Sequence, residues 1–205
     1  MKKGVVMKKR CFLLIGVFLF SLILFYGCGE DKVTPPNAEK LIEQGWAKFE
    51  AGNHSGACAD FKAALGLDAE AEEAYLGLGW AELRQSHAGL AEDAFIDYLF
   101  KVFYSNDAEA GLALAYHAQD KFEDAIDMAE NVLSSDPSWS FSLHDLSIDY
   151  LDLALILAQS YYETADFGQS LTVVQQYFDP NFVVDPNTTE GRDQLAAKLE
   201  SLYTG

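Results

Sequence analysis

The chain has 205 residues, of which 22% are charged and 50% are hydrophobic, and its formal net charge is −18. All 32 acidic residues follow Cys28, whereas only 9 of the 14 basic residues do, so residues 28–205 carry a formal charge of −23. Because this charge repels phosphate groups, the sequence predicts no nucleic-acid partner and no electrostatic docking to anionic lipids.

Residues 1–27 have the order of an export signal. Five basic residues lie within positions 1–10, and an almost wholly apolar run follows from Cys11 to Gly27. The sequence therefore predicts that this part of the chain is a signal peptide or membrane segment. The basic flank predicts that the rest of the chain lies outside the cytoplasm.

A cysteine follows the apolar run. Gly27 directly before Cys28 resembles the cleavage box of bacterial lipoproteins, in which the cysteine becomes the acylated first residue. The resemblance implies a protein of the bacterial cell envelope that is anchored in lipid through Cys28, and Gly29 favours the outer membrane facing the periplasm. Residues 28–37 are then the lipidated cysteine and a polar tether. Two alternatives stay open: ordinary secretion, and an uncleaved anchor, for which the apolar run is near the lower limit of length.

A regular period organises the chain from residue 38 onward. Within each unit, apolar residues recur at i, i+3 and i+4, which predicts two helices that pack on each other. The period is 34, as positions 45, 79 and 113 show. Small residues recur with this period in both halves of the unit. They are Gly45, Gly79 and Ala113 in the first half, and Ala57, Ala91 and Ala125 in the second.

The middle unit carries the pattern of a known family. Tyr75, Leu78, Gly79, Ala91 and Phe95 resemble the tetratricopeptide repeat family. The resemblance implies an all-α fold, a right-handed α-solenoid of about four helix-turn-helix units with a C-terminal capping helix. The chain departs from the family pattern where an aromatic residue is usual, at Lys48 and Glu82.

The period also predicts where the units begin and end. The boundaries are 38–137 for three units, 138–148 for an insertion loop, 149–184 for a fourth, degenerate unit and 185–205 for the capping helix. The loop lengthens the period before the fourth unit and contains two aromatic residues, Trp139 and Phe141. It is interpreted either as packing on the repeats or as a contact site.

In this family the first helix of each unit lines the concave groove, and several of its positions face the ligand. Carried over to this chain, the resemblance predicts a partner-binding groove formed by Ile42, Trp46, Phe49, Leu76, Trp80, Leu83, Arg84, Leu114, His117 and Tyr162. Since only Arg84 among them is a cation, a clamp for a C-terminal carboxylate is not expected.

Trp46 and Trp80 are predicted to form an aromatic wall in this groove. Such a wall suits a protein or peptide with an apolar or amphipathic segment. The alternatives are that both rings pack against the neighbouring unit, or that the fourth unit and the cap fill the groove.

No catalytic motif is found in the sequence: it lacks GK[ST], HExxH, CxxC and GxSxG. The sequence predicts a protein that is not an enzyme and has no cofactor and no metal site. Cys58 is predicted to be a small buried side chain, with a reactive or intermolecular thiol as the alternative.

The predicted function is a non-catalytic protein–protein interaction scaffold, a membrane-tethered adaptor in the cell envelope. The alternative is a ligand-binding or regulatory accessory subunit of a cell-wall enzyme complex.

Overall fold

The computed structural model of the protein describes residues 37–142, 144 and 147–203. The predicted signal segment, Cys28 and most of the tether lie outside these ranges, within which the structure has nine helices and one isolated β-bridge. Among the described residues, no helix is long and apolar enough to cross a membrane. The helices are α1 (Ala38–Glu50), α2 (His54–Leu67), α3 (Glu72–Leu83), α4 (Ala88–Val102), α5 (Asn106–His117), α6 (Phe122–Ser135), α7 (Tyr150–Glu163), α8 (Phe167–Tyr177) and α9 (Thr189–Tyr203).

Each unit consists of two consecutive helices that pack on each other: α1 with α2, α3 with α4, α5 with α6, and α7 with α8. The second helix of each unit also packs on the first helix of the next, and the first helices of successive units contact each other. Helix α9 packs on α7 and α8 and ends the stack. The predicted all-α solenoid of four units with a capping helix is confirmed.

The start of the first helix was readable from the sequence, whereas that of α5 was not. Asn37 caps α1, because its side chain accepts a hydrogen bond from the Lys40 backbone N–H at 2.9 Å. Asn106 is followed by Glu109 three residues later, a pattern that predicts a cap at Asn106, but the structure places Ser105 there. Both residue types accept from backbone N–H groups, and the chain becomes helical one residue earlier than the pattern indicates.

The turn between the two helices of a unit has a left-handed residue at the same place in all four units. These residues are Gly52, Ser86, Asp120 and Ala165, with φ values of 76°, 62°, 58° and 63°. The first three keep the regular period, and the fourth is displaced by the insertion. Three of the four are not glycine, so in those three units the packing of the helix pair holds a conformation that side chains disfavour.

Phe95 on α4 fills the space between its own unit and the next. Its side chain is fully buried. A Cβ added at Gly79 in the same unit would lie 2.6 Å from the ring, and one added at Gly111 in the next unit would lie 2.2 Å from it. The glycines therefore form a socket into which the ring fits. The same arrangement recurs one unit earlier, with Phe61, Gly45 and Gly77.

At the interface between the third and fourth units, the small side chain lies on the second helix of one unit and the large one on the first helix of the next. At the positions equivalent to Phe95 and Gly111 the chain has Ala129 and Ile156, once the insertion at 138–148 is taken into account. Both residues are buried. The large side chain has moved from the second helix of one unit to the first helix of the next, so the third interface is not interchangeable with the first two.

The two charged residues at positions where an aromatic is usual are both paired. Lys48 Nζ lies 2.5 Å from Asp60 Oδ2. Glu82 is 2% exposed, and its carboxylate accepts a hydrogen bond from Lys62 Nζ at 2.6 Å and lies 2.8 Å from His87 Nδ1. An ion pair at Lys48 and hydrogen bonds at Glu82 thus take the place of a packed ring.

The buried Glu82 carboxylate makes stability depend on pH. Burial by itself would raise the pKa of Glu82, but the hydrogen bonds from Lys62 and His87 hold it below its ordinary value of 4.5. Because the folded-state pKa is depressed, the carboxylate stabilises the fold above pH 4.5, and this contribution is lost as the pH falls through the folded-state pKa.

Glu82→Gln is expected to lower the free energy of unfolding by about 1–2 kcal/mol at neutral pH, because hydrogen bonds to a charged acceptor are lost. Urea denaturation at neutral and at strongly acidic pH measures the effect. The difference from wild type should shrink towards zero at the acidic end. Glu123→Gln, at an exposed position of α6, is the matched control. A loss that is the same at both pH values would contradict the role of the carboxylate.

Candidate functional site

The predicted groove residues all lie on, or directly after, the first helices of the four units. They separate into two regions. Residues of the first two units contact the inserted segment, which we define as residues 138–148, whereas His117 and Tyr162 line a cleft near the C-terminal end. The other predicted residues are partly buried and pack against the core: Ile42, Leu76, Leu83 and Leu114.

In the first region, rings of the inserted segment cover both tryptophans. The Phe141 ring stacks on Trp80 at 4.3 Å between centroids with an interplanar angle of 19°. The His144 ring stacks on Trp46 at 3.6 Å and 3°. As a result Trp46 is 5% exposed and Trp80 is 0% exposed. The loop packs on the repeats, as one of its two interpretations proposed, and the expected aromatic wall is not open in this structure.

Polar contacts also connect the inserted segment to the first two units. His144 Nδ1 lies 3.1 Å from Glu50 Oε1, and Arg84 Nη2 donates to Ser147 Oγ at 3.1 Å. Phe49, which is 2% exposed, lies edge-on to Phe141 at 6.3 Å. Partner binding by these groove residues stays a prediction. In the structure they contact the inserted segment of the same chain.

Trp139 holds the beginning of the inserted segment against the third unit. Its side chain is 3% exposed, and Nε1 donates a hydrogen bond to Asp107 Oδ1 at 2.9 Å. Burial raises the pKa of the Asp107 carboxyl, although this hydrogen bond opposes the shift. The inserted segment therefore has one ring on each of the first three units.

The second region is a cleft of about 640 Å³ formed by α5, α7, α9, the turn after α5 and the first residue of α6. Four large apolar or aromatic side chains line it: Phe122, Tyr162, Leu199 and Tyr203. Three carboxylates lie among them: Asp120, Glu163 and Glu200. None of the described lining residues is Lys or Arg. The cleft thus combines an apolar surface with negative charge.

His117 is close to a serine but does not form an accessible catalytic pair with it. Its Nδ1 lies 3.0 Å from Ser160 Oγ, and Ser160 is 0% exposed. Burial lowers the pKa of His117, so the ring is neutral at physiological pH. Because no substrate reaches a fully buried hydroxyl, the contact links α5 to α7. Across the described residues, no group of three or more His, Cys, Asp or Glu side chains has an arrangement that could hold a metal ion.

Cys58 has the buried environment that the sequence predicts. It is 6% exposed, and its Sγ accepts a hydrogen bond from Gln85 Nε2 at 3.1 Å. Burial, together with the nearby Glu82 carboxylate, raises the pKa of the thiol to about 11. The thiolate is therefore a minor species at neutral pH, which argues against a reactive cysteine.

Several residues of the two regions were not predicted as site residues. In the sequence, Phe141 is recognisable only as one of two aromatic residues of the inserted segment, and no pattern indicates that it stacks on Trp80. Leu199 lies within the predicted capping helix, 185–205, but its position in the cleft depends on how α9 packs on α7. A repeat pattern describes equivalent positions within units, and it carries no information about segments outside the repeat.

The comparison with known proteins agrees with this architecture. No protein-family model matches the sequence, and no curated protein matches it. A tetratricopeptide repeat protein from Parabacteroides merdae is similar in structure, with a TM-score of 0.54, 17% identity, and coverage of 93% of this chain and 68% of that chain. The first TPR domain of human RPAP3 gives a TM-score of 0.49 and 20% identity, over 60% of this chain and 94% of that chain. The likeness to the Parabacteroides merdae protein shows that the chain has the tetratricopeptide repeat fold.

Proposed function

We propose that the protein is a non-catalytic protein–protein interaction scaffold that binds a partner segment in the cleft between α5, α7 and α9. The observation that carries this proposal is the cleft itself, with a volume of about 640 Å³. Tyr203 at the cleft is 76% exposed, so an aromatic surface is available there. Protein sites that take up side chains or small ligands commonly have volumes in this range. The solenoid fold, which presents concave surfaces to partners, supports the same function.

The charges at the cleft define the chemistry of the partner. Asp120, Glu163 and Glu200 contribute carboxylates, and the neutral His117 ring does not offset them. A negatively charged rim around an apolar surface favours an amphipathic segment that carries Lys or Arg next to an apolar or aromatic anchor.

In this proposal the scaffold is an adaptor of the bacterial cell envelope, and acylated Cys28 ties it to the outer membrane facing the periplasm. The support is the order of basic residues, apolar run and cysteine at the start of the sequence. The tether, residues 28–37, spans roughly 33–36 Å when fully extended, so the repeats stay near the bilayer. The charge of −23 on residues 28–205 supports tethering by an acyl chain rather than by attraction to anionic lipids.

A photo-crosslinking amino acid at Tyr203 is expected to capture the partner in intact cells, because this side chain projects from the cleft into solvent. The same amino acid at Phe100 on α4 is the matched control, since Phe100 is an 83% exposed aromatic residue that does not line the cleft. Immunoblotting and mass spectrometry detect the adduct. A protein captured equally well from both positions would point to unspecific apolar contact.

Charge reversal at the cleft tests the proposed chemistry of the same partner. Glu163→Lys is expected to weaken capture at position 203 by roughly three- to tenfold, equivalent to about 0.7–1.4 kcal/mol. Glu123→Lys makes the same change at an exposed position of α6 outside the cleft lining and should leave capture unchanged. If both variants behave like wild type, the cleft does not bind a cationic segment and the proposal fails.

A further inference from the structure

The inserted segment has a defined fold where its two arms meet. Phe141 N donates a hydrogen bond to Ile148 O at 2.9 Å, and Tyr150 N donates to Trp139 O at 2.8 Å. Ser140 and Asp149 form an isolated antiparallel bridge. The segment is thus closed at its base, and three described side chains, Phe141, His144 and Ser147, contact the repeats.

Those side chains contact the positions at which the repeat pattern predicts a ligand. Phe141 stacks on Trp80 of the second unit, and His144 stacks on Trp46 of the first. Arg84, the one cation of the predicted groove, donates to Ser147. The described part of the segment therefore uses the groove as a peptide would, with planar rings on the two tryptophans and polar contacts beside them.

The fit of the segment to this part of the groove is incomplete. Nε1 of the fully buried Trp80 has no hydrogen-bond acceptor among the described residues. An indole N–H in a protein interior normally has one, so the described residues leave this donor unused. A cavity of about 510 Å³ also remains beside the segment, lined in part by Phe49, Arg84 and His144. Trp80 does not line this cavity, so the unpaired donor and the space are two separate signs of the incomplete fit.

We propose that the inserted segment is an internal ligand of the N-terminal half of the groove and competes with a partner for it. The partner chemistry is an extended segment that places an aromatic ring on Trp80, a second planar ring on Trp46 and a carbonyl oxygen near Trp80 Nε1. Its binding displaces the rings of Phe141 and His144. This inference goes beyond the proposed function, which rests on the cleft at the other end of the repeats.

The chain's own segment is the probe for this site. A fluorescently labelled peptide of residues 138–149 is titrated into wild type and into the Phe141→Ala/His144→Ala double variant, and polarisation is recorded. The peptide should bind the double variant at least about tenfold more tightly, because in wild type the tethered copy competes at a roughly millimolar effective concentration. The same peptide with Phe141→Ala should bind neither protein.

Equal or absent binding to a double variant that keeps its helical circular dichroism would overturn the proposal, since the segment would then be a structural part of the core.

Hydrogen exchange of wild type gives a second measurement that needs no variant. The Phe141 and Tyr150 amides should exchange at least about tenfold faster than the Trp80 amide, since displacement opens the segment without unfolding α3. Exchange at the same rate would exclude a displaceable segment. Capture at Tyr203 should be unaffected by the double variant, so the two proposals can fail separately.

Discussion

Phe95→Ala is expected to lower the free energy of unfolding by about 3–5 kcal/mol. The ring is fully buried, lies edge-on to Trp80 at 5.5 Å and fills the glycine socket between the second and third units. Because the socket is made of the backbones of Gly79 and Gly111, few side chains are available to move into the space that the ring leaves. The cavity therefore stays largely unfilled, and the loss lies towards the upper end of this range.

Urea denaturation followed by circular dichroism measures this loss. Phe100→Ala is the matched control, because it removes an 83% exposed phenylalanine from the same helix and should change stability by less than about 0.5 kcal/mol. Gly111→Ala should also destabilise wild type, since its Cβ would meet the ring, and it should cost less in a Phe95→Leu background. Equal losses for Phe95→Ala and Phe100→Ala would show that the ring does not hold the units together.

Cys28→Ala is expected to abolish incorporation of a labelled fatty acid and to release the protein from the membrane fraction. The reason is that the acyl chains on the cysteine are the only attachment that the proposed anchoring provides, and residues 28–205 carry a charge of −23 that opposes adsorption to anionic lipids. The effect is therefore close to all-or-none. Metabolic labelling followed by membrane fractionation measures both parts.

Cys58→Ala is the matched control for the anchor. Cys58 is buried and its pKa is raised to about 11, so its removal should leave both labelling and membrane attachment unchanged. Retention of the Cys28→Ala protein on membranes without any label would support the uncleaved anchor instead. Labelling that persists in Cys28→Ala would contradict acylation at this residue.

The helices of the repeats could be predicted because the same interface recurs along the chain. Phe61 and Phe95 each need a glycine in their own unit and another in the next, and such a requirement leaves a fixed spacing in the sequence. For the inserted segment, the sequence pattern reveals only the length, through the break in the period after Pro137. Its position depends on stacking between His144 and Trp46, which lie in distant parts of the chain, and no local pattern encodes a contact of that kind.

The candidate site was predictable in part for the same reason. The family pattern gave the helix faces, so Trp46, Trp80, His117 and Tyr162 lie on the predicted helices. The pattern could not indicate that rings from outside the repeats cover two of these residues. Nor could it place Tyr203 at the cleft, because the capping helix follows no repeat.

The placement of large and small side chains between units also determines which units can be duplicated in tandem. A tandem duplication of the second unit would set one copy of Phe95 against a copy of Gly77, a ring-and-glycine pair like that of Phe61 and Gly77. A duplication of the third unit would set Ala129 against a copy of Gly111 and leave a void. We therefore expect that copying of the second unit is tolerated and that copying of the third is not, and a copy of the first would set Phe61 against Glu43, the residue equivalent to Gly77.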